Sequence, residues 1–328
     1  MTTKEKSENI QALKNRVLQG EVVTRSEALI LYQAPLEELC TAANEIRAHY
    51  CGTQFDLCTI VNGKSGQCSE NCKFCAQSSH YHTCVEEYPL LSITELVNQA
   101  KHNHEQGIAR YSIVTSGKRL SEKEVEQMCL AVKKIKEDVG ISVCVSFGLL
   151  QEAQYRALKL AGVSRVHNNL ETSRRNFPNI CTTHTFEDKI AAIKAAQAAG
   201  LTVCSGGIMG LQEETPEDRI DMALVLRELC IKSIPVNVLN PIPGTPFEDN
   251  QPLTKDEVRR IIAVYRFILP DAFIRMAGGR GLLGDKGASC FLSGANAAIS
   301  GDMLTTAGIT VETDLQLIKE LGYEGGLK

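Results

Sequence analysis

The sequence predicts an α/β chain: a parallel (β/α)8 barrel of the TIM type with an N-terminal helical extension. Three observations carry this. Strand-like and helical segments alternate eight times between about residues 57 and 300. Gly107, Gly140, Gly162 and Gly200 each stand shortly before a strand-like segment, a repeated helix-to-strand turn signature. No low-complexity stretch interrupts the 328 residues, and 43% apolar content suffices for one large core. An open doubly wound sheet is the alternative architecture.

Residues 1–50 read as helices. Leu36, Leu39, Cys40 and Ala43 fall at i, i+3, i+4 and i+7, the stripe of an amphipathic helix ending near His49. Strands follow near 57–64 (LCTIVNGK), 109–116 (ARYSIVTS), 141–148 (ISVCVSFG), 165–171 (RVHNNLE), 201–208 (LTVCSGGI), 235–240 (PVNVLN), 273–279 (FIRMAGG) and 294–300 (GANAAIS). Between them, Ser92 with Glu95, Ser121 with Glu124, Thr185 with Asp188 and Thr254 with Glu257 have the spacing of helix capping boxes. The expected organisation is an extension over 1–50, a barrel domain over 51–320 and a flexible tail over 321–328.

A formal net charge of −4 gives no reason to expect nucleic acid or an anionic membrane as partner. No apolar run is long enough to span a bilayer, and the charged segment MTTKEKSENIQALKN lacks the apolar core of a signal peptide. A cytoplasmic location is the expectation. In a reducing compartment, thirteen cysteines point to metal ligation or catalysis more than to disulfides. Cys40, Cys129 and Cys230 read as packed thiols on apolar helix faces. Cys51, Cys84 and Cys181 fall on loops or element ends and read as redox-sensitive bystanders. Cys290 has no role that the sequence argues.

Inward positions of such a barrel are usually branched and apolar. Here they carry Cys58, Cys144, Cys204, Asn237 and Arg275. The segment 165–171 adds His167, Asn169 and Glu171 on one face, because strand side chains alternate. An unpartnered buried arginine would cost on the order of 3–5 kcal/mol. So many polar groups on separate strands predict a cavity with polar or metallic contents.

Just after the first strand stands GQCSENCKFCAQSS (66–79), in which Cys68, Cys72 and Cys75 form a C-x3-C-x2-C run. Structural zinc usually closes a tetrahedron with four side chains. His80 and His82 are near enough in sequence to complete one, so zinc stays open on spacing alone. Three thiolates on one loop also suit three irons of a four-iron cube whose fourth iron takes an exchangeable ligand.

With Phe74 at the aromatic position, this run resembles the radical S-adenosylmethionine enzymes. The resemblance extends through HNNLETS (167–173), TTHTFEDKI (182–190), VCSGGIMGLQE (203–213), NPIPGTP (240–246), IRMAGGR (274–280) and CFLSGANA (290–297). Over residues 45–320 the chain is similar to the biotin synthases. That resemblance implies a [4Fe–4S] cluster on Cys68, Cys72 and Cys75 that binds S-adenosylmethionine and cleaves it to a 5′-deoxyadenosyl radical. The radical abstracts hydrogen from dethiobiotin, and an auxiliary iron–sulfur cluster, [2Fe–2S] or larger, donates the sulfur that closes the ring.

By the same resemblance, Asn169 and Glu171 contact the cofactor ribose, and the backbone at Gly207 and Ile208 passes the adenosyl group. His167, Asn169 and Asn237 contact the ureido ring. Cys144, Cys204 and Arg275 match three of four auxiliary ligands, with Arg275 also a catalytic candidate. Two departures stand out. The family commonly has asparagine at His167. The remaining auxiliary cysteine is Ser112 here, while Cys58 stands where serine is usual. Cys58 is therefore expected to replace it, with Ser112 the weaker alternative. A low-potential electron donor such as flavodoxin or ferredoxin and a homodimer are further implications. The alternative functions are a related barrel enzyme, like methylornithine synthase or a hydrogenase-maturation protein, and a zinc-stabilised binding protein.

Overall fold

The computed structural model describes residues 3–325, so residues 326–328 of the expected tail lie outside it. Three helices come first: α1 (Thr3–Leu18), α2 (Arg25–Tyr32) and α3 (Leu36–Cys51). Then follow β1 (Gln54–Lys64), α4 (Ile93–Glu105), β2 (Arg110–Thr115), α5 (Glu122–Asp138), β3 (Ser142–Ser146), α6 (Glu152–Ala161) and β4 (Val163–His167). Next are α7 (Phe177–Ile180), α8 (Phe186–Ala198), β5 (Thr202–Cys204), β6 (Gly207–Met209), α9 (Pro216–Glu228), β7 (Ser233–Val238) and α10 (Lys255–Ile268). The chain continues through β8 (Phe273–Met276), α11 (Ala288–Phe291), β9 (Ala297–Ser300), α12 (Val311–Glu320) and β10 (Glu324–Gly325).

The strands β1 to β9 are parallel neighbours in chain order, with β5 and β6 both against β7, and β9 pairs back onto β1. The barrel is closed, which removes the doubly wound alternative. The four capping boxes form as expected: each Ser or Thr hydroxyl accepts from the backbone of the residue three on, whose carboxylate accepts in return. Gly107, Gly140, Gly162 and Gly200 all take positive φ, between 77° and 108°. A side chain there would be strained, so these turns need glycine.

The extension shares the barrel's core. Leu39, Cys40, Ala43 and Ile46 of α3 are buried with residues of α10 in one contiguous cluster. Arg260 of α10 donates to the carbonyls of Tyr32 and Ala34, and Arg219 of α9 donates to the Tyr32 hydroxyl. At the other end, residues 321–325 are held, where a loose tail was expected. Tyr323 is buried, its hydroxyl donates to the Phe291 carbonyl, and β10 pairs with the start of β1.

Three further expectations are corrected. The strand expected over 165–171 ends at His167. Asn169 and Glu171 lie beyond it, because Leu170 and Glu171 turn their N–H groups to the Gly206 carbonyl and Glu171 adopts a left-handed φ of 70°. The strand expected over 201–208 is split at Ser205–Gly206. A Cβ on Gly206 would sit 1.9 Å from the Pro235 carbonyl oxygen, and one on Gly207 would sit 2.4 Å from that of Glu171. Only bare backbone fits between the neighbouring segments. Cys230, expected on an apolar helix face, is exposed in a left-handed conformation just past α9.

These contacts separate two kinds of glycine. Gly206→Ala is expected to cost about 3 kcal/mol through collision with backbone. Gly107→Ala, strained but with open space around it, is expected to cost about 1 kcal/mol. Thermal unfolding of the two variants checks the order; equal losses would contradict it.

Candidate functional site

The C-terminal ends of the strands open into a cavity of about 380 Å³, within the usual range of small-molecule sites. Cys58, Cys144, Cys204, Arg275, Ser112, His167, Asn169, Glu171, Asn237 and Ile208 all line it, as do Cys68 and Cys75. Gly207 is not among the lining residues; its neighbour Ile208 is, and Ile208 N–H donates to the Glu171 carbonyl. Alternation along closed strands accounts for this convergence.

At the floor, Asp56 is 2% exposed and faces three arginines. Its Oδ2 lies 2.6 Å from Arg275 Nη2, 3.4 Å from Arg165 Nη1 and 3.9 Å from Arg110 Nη2. Burial alone would raise the Asp56 carboxyl, but the three guanidinium charges hold it below its ordinary value. Arg275 Nη1 donates to the Asp56 and Ala298 carbonyls and lies 3.2 Å from Cys58 Sγ. Burial pushes the Cys58 thiol up to about 12, against the pull of Arg275. Cys144 is raised by burial and by Cys204, and the Ser112 hydroxyl hydrogen-bonds to it. Ser233 Oγ donates to Cys204 Sγ at 3.2 Å.

One carboxylate thus faces three cations, and Arg110 Nε and Arg165 Nε are buried with no partner. Such a floor fits an anionic, thiolate-bound group beside Cys58, Cys144 and Cys204, since an unpaired buried charge is costly. Arg110 and Arg165 were not among the expected site residues. The signal was available: Arg165 precedes His167 by two, and Arg110 precedes Ser112 by two, so each shares its neighbour's face. Asp56 carries the same signal, since it precedes Cys58 by two on β1.

Above the floor, His167 Nε2 lies 2.9 Å from Asn169 Oδ1, and Nδ1 lies 3.3 Å from Ser146 Oγ. Asn169 Oδ1 also accepts from the Gly206 N–H at 3.1 Å, so it faces two donors and His167 carries its proton on Nε2. Burial lowers the His167 imidazole to about 4, which keeps it neutral near pH 7. Asn169 Nδ2 then donates to Glu171 Oε2 at 3.3 Å, and burial raises the Glu171 carboxyl. Asn237 ties three segments together: Nδ2 donates to the Gly207 carbonyl, and Oδ1 accepts from the Gly278 N–H.

The loop bearing Cys68, Cys72 and Cys75 folds on itself: Cys68 N–H donates to the Gln77 carbonyl, and Ser79 N–H and Oγ both donate to the Cys68 carbonyl. The NPIPGTP segment packs against it at Gly244, where a Cβ would meet the His82 carbonyl oxygen at 2.0 Å. Cys72 does not line the cavity; its Sγ lies 3.7 Å from Cys181 Sγ. Among the described residues, the ligand atoms that gather within 4.8 Å of one another are those of Cys72, Cys181 and His184. The sulfurs of Cys68, Cys72 and Cys75 do not all lie within 4.8 Å of one another. His80 spends Nε2 on the Ser69 carbonyl, and His82 is exposed, so the expected zinc partners do not converge on these thiols. Cys181, expected as a bystander, is instead buried against Cys72.

The other unassigned cysteines are structural or exposed. Cys290 is buried in α11, Cys51 ends α3 with Arg266 Nη1 3.6 Å from its sulfur, and Cys84 is exposed. No helix of the described residues is long and apolar enough to cross a membrane.

Residues 64–226 match the radical SAM superfamily, and residues 235–324 match the biotin and thiamin synthesis associated domain. A biotin synthase of Akkermansia muciniphila is 60% identical over 317 residues, covering 97% of this chain and 98% of that relative. A biotin synthase of Brachyspira hyodysenteriae is 58% identical over 320 residues, covering 98% and 96%. Among solved structures, methylornithine synthase superposes with a TM-score of 0.82 at 19% identity, covering 96% of this chain and 97% of that one. HydG, a maturase of the [FeFe]-hydrogenase, superposes at 0.83 with 18% identity, covering 99% and 76%. The last two are likenesses of fold.

Two outcomes follow from the floor and the wall. Asp56→Asn leaves buried Arg110 and Arg275 and half-buried Arg165 without a carboxylate and is expected to destabilise the protein by about 3–5 kcal/mol, read by denaturant unfolding. Histidine-selective NMR of the cluster-free protein should show His167 neutral and protonated on Nε2 down to about pH 4. The depressed value means that stability present above the unfolded histidine value is lost as pH falls toward 4, on the order of 3 kcal/mol in all. Protonation of His167 between pH 6 and 7 would contradict this.

Proposed function

The chain belongs to the biotin synthase family of radical S-adenosylmethionine enzymes, and on that premise we propose that it converts dethiobiotin to biotin by radical-mediated sulfur insertion. The observation that carries the reading is the pairing of two thiol sets on one cavity: Cys68 and Cys75 at the mouth, and Cys58, Cys144 and Cys204 at the floor. When bound, a [4Fe–4S] cluster supplies the electron that splits S-adenosylmethionine to methionine and a 5′-deoxyadenosyl radical, and an auxiliary iron–sulfur cluster, [2Fe–2S] or larger, supplies the sulfur.

In this reading Cys68, Cys72 and Cys75 hold the first cluster. Cys58, Cys144, Cys204 and Arg275 hold the auxiliary one, with Ser112 the weaker alternative to Cys58. Two contacts support Cys58 as the replacement. It stands beside Arg275, whose charge favours its thiolate, whereas the Ser112 hydroxyl is engaged with Cys144. Serine is also a harder, poorer partner for iron–sulfur chemistry than a thiolate.

Asn169 and Glu171 bind the ribose hydroxyls of the cofactor; carboxylate-to-diol pairing is a recurrent way to hold a nucleotide. The adenosyl group runs beside the Gly207–Ile208 backbone, of which Ile208 lines the cavity. Neutral His167 fixes the Asn169 amide, so that Oδ1 points to His167 and Gly206 and Nδ2 points to Glu171. The ureido ring then meets His167, Asn169 and Asn237, groups that offer both donors and acceptors to a urea. Neutral histidine and amides place no competing charge beside the substrate's reacting carbons. With this activity go a low-potential donor of the flavodoxin or ferredoxin class, a homodimer and a cytoplasmic location. Thirteen free cysteines support a reducing compartment.

Anaerobically reconstituted protein with S-adenosylmethionine, a reductant and dethiobiotin should yield methionine, 5′-deoxyadenosine and biotin. Cofactor cleavage with no dethiobiotin consumed would overturn the reading in favour of a related enzyme, methylornithine synthase-like or hydrogenase-maturation-like. Cys58→Ala is expected to abolish biotin formation, lower iron and sulfide per chain, and keep cofactor cleavage. Ser112→Ala is expected to keep the full iron content. Unchanged auxiliary iron in Cys58→Ala would sink the ligand replacement alone.

A further inference from the structure

The segment 180–184 is bound to the thiol loop more closely than packing requires. Lys73 N–H donates to the Ile180 carbonyl, and Asn71 N–H donates to Thr183 Oγ1. Thr182 N–H donates to Asn71 Oδ1 at 2.9 Å. Glu70, which stands between Cys68 and Cys72 in the chain, accepts from His184 Nδ1 at 2.6 Å and from Thr183 Oγ1 at 2.8 Å. Glu70, Cys181 and His184 are 6%, 3% and 7% exposed. Water does not compete for these groups, and their positions are over-determined.

This frame presents one sulfur to another. Cys181 Sγ lies 3.7 Å from Cys72 Sγ and 3.3 Å from His184 Nδ1. The His184 Nδ1 proton is committed to Glu70, the nearer and charged acceptor. Asn71 Oδ1, 3.5 Å from Cys181 Sγ, already accepts from Thr182 N–H. A Cys72 that ligates iron is a thiolate and can only accept. Thr183 Oγ1, 3.5 Å from Cys181 Sγ, accepts from the Asn71 N–H and donates to Glu70. With Cys72 able only to accept, a hydrogen shared between the two sulfurs belongs to Cys181.

We propose that Cys181, oriented by His184 and Glu70, donates its thiol hydrogen to the Cys72 sulfur and so raises the midpoint potential of the cluster held by Cys68, Cys72 and Cys75. The inference rests on the cluster assignment made above. Cys181 is a positioning residue in this role: it touches a ligand sulfur and neither the substrate nor the cofactor. The physical cause is direct. A reduced cluster carries one more negative charge, and a hydrogen bond to a ligand sulfur stabilises the more negative state more than the oxidised one. Cleavage of a sulfonium demands a very low potential, and a donor that eases reduction of the cluster brings it within reach of a biological one-electron carrier.

The test is a redox titration of anaerobically reconstituted protein, following the electron paramagnetic resonance signal of the reduced four-iron cluster. Cys181→Ala is expected to lower the equilibrium constant for reduction about tenfold, about 59 mV for one electron. Cys181→Ser keeps a hydroxyl donor and is expected to recover most of that loss, and both variants are expected to keep the wild-type iron content. A midpoint unchanged in Cys181→Ala, or equal shifts in the two variants, would overturn the hydrogen-bond role. Loss of iron from Cys181→Ala would overturn it too, since it would make Cys181 a metal ligand. A wild-type protein with no reducible four-iron signal would remove the cluster assignment itself, an outcome distinct from the others.

Discussion

A single carboxylate organises the barrel interior. Asp56 on β1 pairs in register with Ala297 on β9, the contact that closes the barrel, and its N–H donates to the Asn296 carbonyl. The same residue receives Arg275 from β8, Arg165 from β4 and Arg110 from β2. Closing the sheet thus brings together charges that the sequence keeps more than 50 residues apart. A buried ion pair of this kind adds little net stability, because desolvation offsets the attraction. Its effect is to forbid any arrangement that strands a charge, and so to specify one register of β1 against its neighbours.

The chemistry of the floor follows from that constraint. With one acid against three bases, the interior is positive, and the thiols of Cys58, Cys144 and Cys204 point into it. A positive floor lowers the cost of thiolates and of any anionic group they hold. Two arginine N–H groups remain without a protein partner, which is costly in a closed core and reasonable in a cavity that receives a polar occupant. At the mouth the logic differs. There the thiol loop is held by hydrogen bonds from its own backbone and from the 180–184 segment, and a glycine in NPIPGTP allows a second loop to press against it at van der Waals range. Between mouth and floor, neutral His167 and the amides of Asn169 and Asn237 make a polar but uncharged wall.

Which of these features could be read from the residues alone follows a pattern. Period-two alternation correctly put Cys58, Cys144, Cys204, His167 and Arg275 on inward faces, because a closed barrel has only one interior for such residues to share. Alternation overreached at Asn169 and Glu171: they reach the cavity, but from a turn held by Gly206. The capping boxes and the positive-φ glycines were legible because each is settled within four residues of chain. The partners of Arg275, and the contact of Cys181 with Cys72 across 109 residues, were not, because no local spacing encodes a meeting between distant segments.

The sequence by itself determined the alternating αβ order, the starts of four capped helices, the thiol run at 68–75 and the polar faces of the strands. These depend on neighbours along the chain, through backbone sterics, hydrogen bonding and side-chain alternation. Only the tertiary structure decided that Asp56 neutralises part of a three-arginine floor, that His167 is neutral with its proton on Nε2, and that Cys181 stands against Cys72. Each of these is a matter of electrostatics and desolvation at contact distance, and those depend on what the closed fold brings within a few ångströms.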